Sequence, residues 1–186
     1  RDFTAATGGL AGLQSFEAPA GQALDRALQG RLDRATGHGA TASHFALLLI
    51  DGLSVREEPV TRAIQSALGV TPLVDSSAAN GTDFGQTLVY FDERFHTNAT
   101  VLALVATPLP FRTFNTHHFG PTDERLVVTA ADPARRTVRD INGLPAAQEY
   151  ARILGVPAAG LTPEHFAGSP VVVTIGGASY VRSIQK

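Results

Sequence analysis

The run Ala46-Leu47-Leu48-Leu49-Ile50, closed by Asp51-Gly52, constrains this chain more than any other stretch. Five apolar residues ended by a turn pair are the length of a strand and too short for a helix, and a continuous apolar run marks a strand covered on both faces. A helical pattern follows, with Val60, Ile64, Ala67 and Leu68 on one side and Gly69 at its stop, a residue suited to a left-handed cap. Ser54-Val55-Arg56-Glu57 has the form of a capping box, in which the Ser54 hydroxyl is expected to accept from the Glu57 amide. A second strand is predicted over residues 70–74, opening into a polar loop, Asp75-Ser76-Ser77-Ala78-Ala79-Asn80. Such a loop lies at the carboxyl end of its strand, where open α/β sheets place their ligands.

On either side the pattern is less regular. Phe3, Leu10, Leu13 and Phe16 suggest an edge segment, and Leu24, Ala27, Leu28 and Leu32 recur at helical spacing within residues 21–34. Residues 86–91 and 100–106 are expected to pair as a hairpin joined through Asp92-Glu93-Arg94 and the residues to Asn98. Further strands are predicted near 111–119, 125–130 and 137–141, a helix from Pro145 to Gly155, a short helix capped by Thr162, and a last hairpin of 171–175 with 180–184. Strand–helix–strand, then consecutive strands, then helix and hairpin, predicts an α+β fold: mixed, largely antiparallel sheets with flanking helices in a layered sandwich. A doubly wound parallel sheet needs more crossover helices than the pattern supplies.

Composition removes several function classes. Of the 186 residues 44% are apolar and 17% charged, as in a globular domain with a core, and the net charge of -2 carries no basic stripe for nucleic acid. No apolar run approaches the roughly 20 residues of a membrane span, and no signal peptide opens the chain, so no membrane contact is expected and the cytoplasm is the expected location. Without cysteine there are no disulfides, thiolate ligands or cysteine nucleophiles. An Arg1 start and the absence of methionine are expected of a piece of a longer protein.

The candidate chemistry is sparse. Gly52-Leu53-Ser54 stands at a strand-to-helix turn, but the nucleophile elbow Gly-x-Ser-x-Gly fails because the fifth residue is Arg56. His117-His118, on a predicted strand, point to opposite faces and do not chelate one metal together; one of them beside Phe114 or Phe119 has the surroundings of an axial haem ligand or of a half-buried, hydrogen-bonded histidine. Asp75, Ser76, Ser77, Asn80 and Thr87 form a cluster of short polar groups suited to a small polar ligand, and equally the composition of a long turn.

Several segments taken together resemble the FIST domain, a sensory module of bacterial signal-transduction proteins and of some eukaryotic F-box proteins. They are Leu49-Ile50-Asp51-Gly52-Leu53-Ser54 with Glu57-Glu58, Ser77-Ala78 with Phe84 and Thr87, and His118-Phe119 with Pro121-Thr122. Further along come Leu126-Val127-Val128-Thr129-Ala130, Asn142-Gly143-Leu144-Pro145-Ala146-Ala147 with Tyr150-Ala151, and Tyr180-Val181-Arg182-Ser183-Ile184. The resemblance runs in register over residues 1–186. It implies that residues 1–141 are the C-terminal part of a FIST N-terminal domain and residues 142–186 the start of a FIST C-terminal domain. It implies a non-enzymatic sensor that binds a small molecule through Asp75, Ser76, Ser77, Asn80, Thr87, His118 and Arg182. Signalling through a partner, such as a histidine kinase, and a homodimer are the expected associations. One branch resembles nitric-oxide-responsive haem proteins, and there His118 takes the position of the axial ligand. Where the family commonly has Gly-Gly-Ser-Ala-Gly-Asp, this chain has Asp75-Ser76-Ser77-Ala78-Ala79-Asn80, which puts side chains and a carboxylate where glycines would let backbone approach a ligand. Two other readings stand beside the sensor. One is a hydrolase-like or transferase enzyme using Asp75, Ser77 and His118, which must lie about 3 Å from one another. The other is an interaction module without a ligand.

Overall fold

The computed structural model describes residues 2–37, 42–80, 85–114, 116, 119–176 and 178–184, in two compact units, Arg1–Asn115 and Thr116–Lys186. The fold is α+β, with helices beside several mostly antiparallel sheets.

The first unit is built on a four-stranded sheet in the order β1-β6-β2-β3. These strands are β1 (Thr4–Ala11), β2 (Ser43–Asp51), β3 (Leu73–Ala78) and β6 (Ala99–Thr107). The central strand β6 is antiparallel to both β1 and β2, while β2 and β3 run parallel. Helices α1 (Ala18–Thr36) and α2 (Glu57–Leu68) complete the β–α–β–α–β path. They close one face of the sheet: Leu28 and Leu32 of α1 and Val60, Ile64 and Leu68 of α2 share a buried cluster with Ala6, Ala46, Leu48, Ile50, Leu102, Leu104 and Ala106. The alternate residues Leu47, Leu49 and Val74 remain 41%, 50% and 40% exposed, so the apolar run of β2 is fully covered on one face only. The remaining strands, β4 (Val89–Phe91) and β5 (Arg94–His96), form a short antiparallel hairpin.

Four predicted features between Ser54 and Phe119 are corrected. The strand after α2 begins at Leu73 and holds Asp75, Ser76 and Ser77, which pair in parallel register with Leu48, Leu49 and Ile50; they are strand and not loop. Pairing with a well-formed neighbour overrides the turn preference of aspartate and serine, whose side chains here are exposed. Residues 86–91 and 100–106 do not pair with each other. Asp92 and Glu93 both take positive φ, 47° and 61°, and reverse the chain in two residues, which leaves the apolar β6 to pair with β1 and β2. The capping box at Ser54 does not form either. Val55 turns the chain at φ 58°, α2 begins at Glu57, and the Ser54 hydroxyl accepts from the Arg56 amide at 3.2 Å. Over 111–119 the described residues contain no strand; Phe111 instead packs its ring on Phe45 at 5.0 Å between centroids.

The second unit holds β7 (Val128–Asp132), β8 (Thr137–Ile141) and the two-residue β9 (Leu144–Pro145) in one antiparallel sheet. Helices α3 (Ala146–Leu154) and α4 (Pro163–Gly168) follow, then the hairpin of β10 (Val171–Ile175) and β11 (Ala178–Arg182). α3 stops at Gly155 in the left-handed conformation, as its sequence predicts. Thr162 caps α4 in a box completed by His165, whose Nδ1 accepts from the Thr162 amide at 3.2 Å. The Tyr150 hydroxyl donates to Ser169 O at 2.7 Å and lies 3.2 Å from His165 O, tying α3 to the end of α4.

Candidate functional site

The most developed polar constellation stands at the carboxyl ends of the parallel pair β2–β3, and its centre is a residue that motif reading passed over. Asp51, the last residue of β2, is 4% exposed. Its Oδ1 accepts from the Leu53 amide at 2.9 Å and from the Thr87 hydroxyl, and its Oδ2 accepts from the Asn98 amide. Three separate segments therefore converge on one carboxylate: the turn after β2, the approach to β4 and the exit from β5. No positive charge is among those donors. Backbone amides and a hydroxyl stand where a counter-ion would otherwise be, and each gives the buried carboxylate a hydrogen bond.

The chain is shaped locally to deliver these groups. Asn98 takes φ 49°, and its carbonyl accepts from the Leu13 amide at 3.0 Å. The Ser54 amide donates to Asp51 O at 3.0 Å, so the β2 turn closes on itself, and Ser54 is buried at 2% exposure. Gln14 Nε2 donates to Ser54 O at 3.0 Å, while Arg56 donates back to Gln14 O. Gly52 fits because its amide donates to Ala78 O at 3.3 Å; a Cβ at that position would lie 2.7 Å from the same oxygen. Strand ends, turn and hairpin roots are thus one hydrogen-bonded body.

Of the residues singled out in the sequence, Asp75, Ser76 and Ser77 lie exposed along β3, and Asn80 lies exposed two residues beyond it. Thr87 is 6% exposed and donates its hydroxyl to Asp51. Arg182 ends β11 in the second unit, exposed, with its guanidinium 5.8 Å from the Tyr180 ring centroid. His118, with His117, lies outside the described residues, and so does its separation from Ser77. Asp51 and Asn98 were missed. The signal for Asp51 was an aspartate that ends a buried apolar strand, a place where an ionisable group needs partners; nothing local marks Asn98, 47 residues away.

Among the described residues no group of three or more His, Asp or Glu side chains is set to hold a metal ion. The described histidines are otherwise disposed. His96 stacks on Phe91 at 3.9 Å and 9°, with Nε2 3.3 Å from Phe91 O; His165 caps α4; His44 is exposed at the start of β2. A shallow open groove runs between α1 and α2, lined by Ala18, Gln22, Glu58, Pro59, Arg62, Ala63 and Ser66, with no histidine in its lining. No helix among the described residues is long and apolar enough to cross a membrane.

The second unit carries its own buried carboxylate. Glu149, 2% exposed, accepts from Arg152 at 2.7 and 2.9 Å and from Asn142 Nδ2 at 2.8 Å. The Arg152 guanidinium, followed by the Asn142 amide, lowers its pKa to about 2. Asn142 in turn accepts from the Val127 amide at 2.9 Å and donates to Arg125 O at 3.2 Å, which identifies the cluster as a brace for the β8–β9 turn.

No curated protein and no solved structure matches this chain. The FIST N domain family model matches residues 2–144, which takes in the first unit from Asp2 onward, with the Asp51 cluster and the β3 surface. The chain belongs to the FIST family of signal-transduction sensory domains.

Proposed function

We propose that this domain is a small-ligand receptor and not an enzyme, and that the ligand contacts the exposed polar end of β3: Asp75, Ser76, Ser77 and Asn80. One observation carries the reading. Asp75, Ser76 and Ser77 are exposed along a strand held in parallel register by β2, and Asn80 follows just beyond the point where the Gly52 amide is bonded to Ala78 O. Short polar side chains on a rigid strand end bind at low entropic cost, because little remains to be ordered. Family membership supplies the sensory context, and signal output then requires a partner protein such as a histidine kinase, or a second copy of the chain, in the cytoplasm.

The test is a calorimetric screen of free amino acids and small carboxylates against the wild-type chain, Asp75→Asn and Ser77→Ala. Binding that weakens roughly tenfold in either variant, the worth of one good polar contact, supports the site. Binding that neither variant changes places the ligand elsewhere. The narrower haem-based nitric-oxide reading rests on His118 alone. An absorbance spectrum of protein purified from haem-supplied cells decides it: a Soret band lost or shifted in His118→Ala supports haem, and no band in folded wild-type protein removes it.

A further inference from the structure

We propose that Asp51 is a positioning residue that couples the strand-end surface to the β4–β5 hairpin, so that the hairpin is the first element to respond when that surface is occupied. The proposal rests on the reading of the β3 end as the ligand-contacting face.

The hairpin has three-residue strands, and a pair of that size has no independent stability in water. It stays folded because it is attached. One attachment is near its tip, where Phe91 lies over Gly9 of β1 so closely that a Cβ on Gly9 would sit 2.5 Å from the ring. The other is at its roots. Thr87, two residues before β4, and Asn98, two residues after β5, donate to opposite oxygens of the Asp51 carboxylate. One side chain thus holds both ends of the hairpin, and its third donor, the Leu53 amide, belongs to the turn seated against β3. Gly52 in that turn touches Ala78 O through its own amide and leaves no room for a side chain. A ligand that shifts Ser77–Asn80 therefore moves the Gly52-Leu53 peptides, and through them the carboxylate on which both roots depend. The outer face of the hairpin carries Tyr90 and Phe95, 56% and 67% exposed and in edge contact at 5.0 Å, so a change at the roots is displayed on an aromatic surface. Such a device signals only if the ligand favours one setting of the roots over the other.

Hydrogen exchange on the 186-residue chain tests this without a ligand. Asp51→Asn puts an amide nitrogen where one oxygen now accepts, Thr87→Val removes one donor at constant shape, and Gly52→Ala acts only from the β3 side. The expected result is exchange in residues 87–98 roughly tenfold or more faster in Asp51→Asn, and faster to a lesser degree in Thr87→Val and Gly52→Ala, with β1, β2 and β6 still protected. Unchanged hairpin protection in Asp51→Asn, or loss of sheet protection to the same extent as the hairpin, overturns the proposal. If Asp51→Asn does not fold, Thr87→Val and Gly52→Ala decide it by the same criterion. An intact latch in a protein that binds nothing at β3 would remove the ligand reading and leave the coupling standing.

Discussion

Asp51 and Glu149 are both carboxylates taken almost wholly out of water, at 4% and 2% exposure, yet they are satisfied in opposite ways. Glu149 is local. Its partners are Arg152, three residues away, and Asn142, seven away, and the guanidinium that neutralises it is 61% exposed. Asp51 is long-range. Two of its donors come from positions 36 and 47 residues along the chain, and none carries charge. A local charged pair can form as soon as its helix forms, and water can replace much of it. A carboxylate held by distant neutral donors forms only when the tertiary fold is complete, and its loss leaves those donors without partners.

The largest expected effect follows from that difference. Asp51→Ala strands the Leu53 and Asn98 amides and the Thr87 hydroxyl, and should destabilise the first unit by about 3 kcal/mol or more. Glu149→Ala leaves an exposed guanidinium that simply hydrates and one amide, so its cost should be smaller. Urea unfolding followed separately for each unit checks this, since one transition need not describe both. Equal costs would dissolve the contrast.

Next in size is Gly9→Ala, which forces a methyl into the Phe91 ring and should cost about 2 kcal/mol by overpacking. Its damage should be confined to the tip contact of the hairpin, whereas Asp51 substitutions act at the roots. The double variant Gly9→Ala with Phe91→Leu should recover part of the loss. Failure to recover would mean that the hairpin is not docked through this contact.

These two sites also show what was legible in the sequence. The helix-side core of the first unit was, because Ala46–Ile50 and the Val60–Leu68 stripe advertise burial through period and run length, although Leu47 and Leu49 on the other face of β2 are exposed. The β2 turn and the polar β3 end were located within a few residues, but their state was misread: serine and aspartate favour turns in isolation, and only pairing with Leu48–Ile50 makes them strand. The hairpin was mispaired because Asp92 and Glu93 adopt positive φ that neither residue type demands. Asp51 was visible as a residue and invisible as a centre, since the Asn98 that completes it has no local signature.

A third effect is read through pH. Arg152 and Asn142 hold the Glu149 pKa near 2, below the ordinary carboxylate value, so its ionised form stabilises the fold. That contribution is fully present above about pH 4.5, the ordinary glutamate range, and is lost as pH falls toward 2. Glu149→Gln should flatten the acid limb of the second unit's unfolding curve. An unchanged limb would assign acid sensitivity to other carboxylates.

The smallest expected effect comes from a third buried carboxylate, which sharpens the contrast from the opposite side. Asp25 on α1 is 3% exposed, as buried as Asp51, but only Gln29 donates to it, at 2.8 Å to Oδ2, and Oδ1 has no partner among the described residues. Burial therefore raises its pKa despite Gln29 and the nearby Arg26 charge. A raised folded-state pKa means that folding favours the protonated form: the stability it contributes is complete below the unfolded value of 3.8 and declines as pH rises through the higher folded value. At neutral pH Asp25 is then a liability. Asp25→Asn, which keeps an acceptor for Gln29, should stabilise the first unit at pH 7 by up to about 1 kcal/mol, with the gain fading toward pH 3.8. Thermal melts of both proteins across that range decide the matter. A gain that persists undiminished at low pH would show that the ionised carboxylate is not the cause.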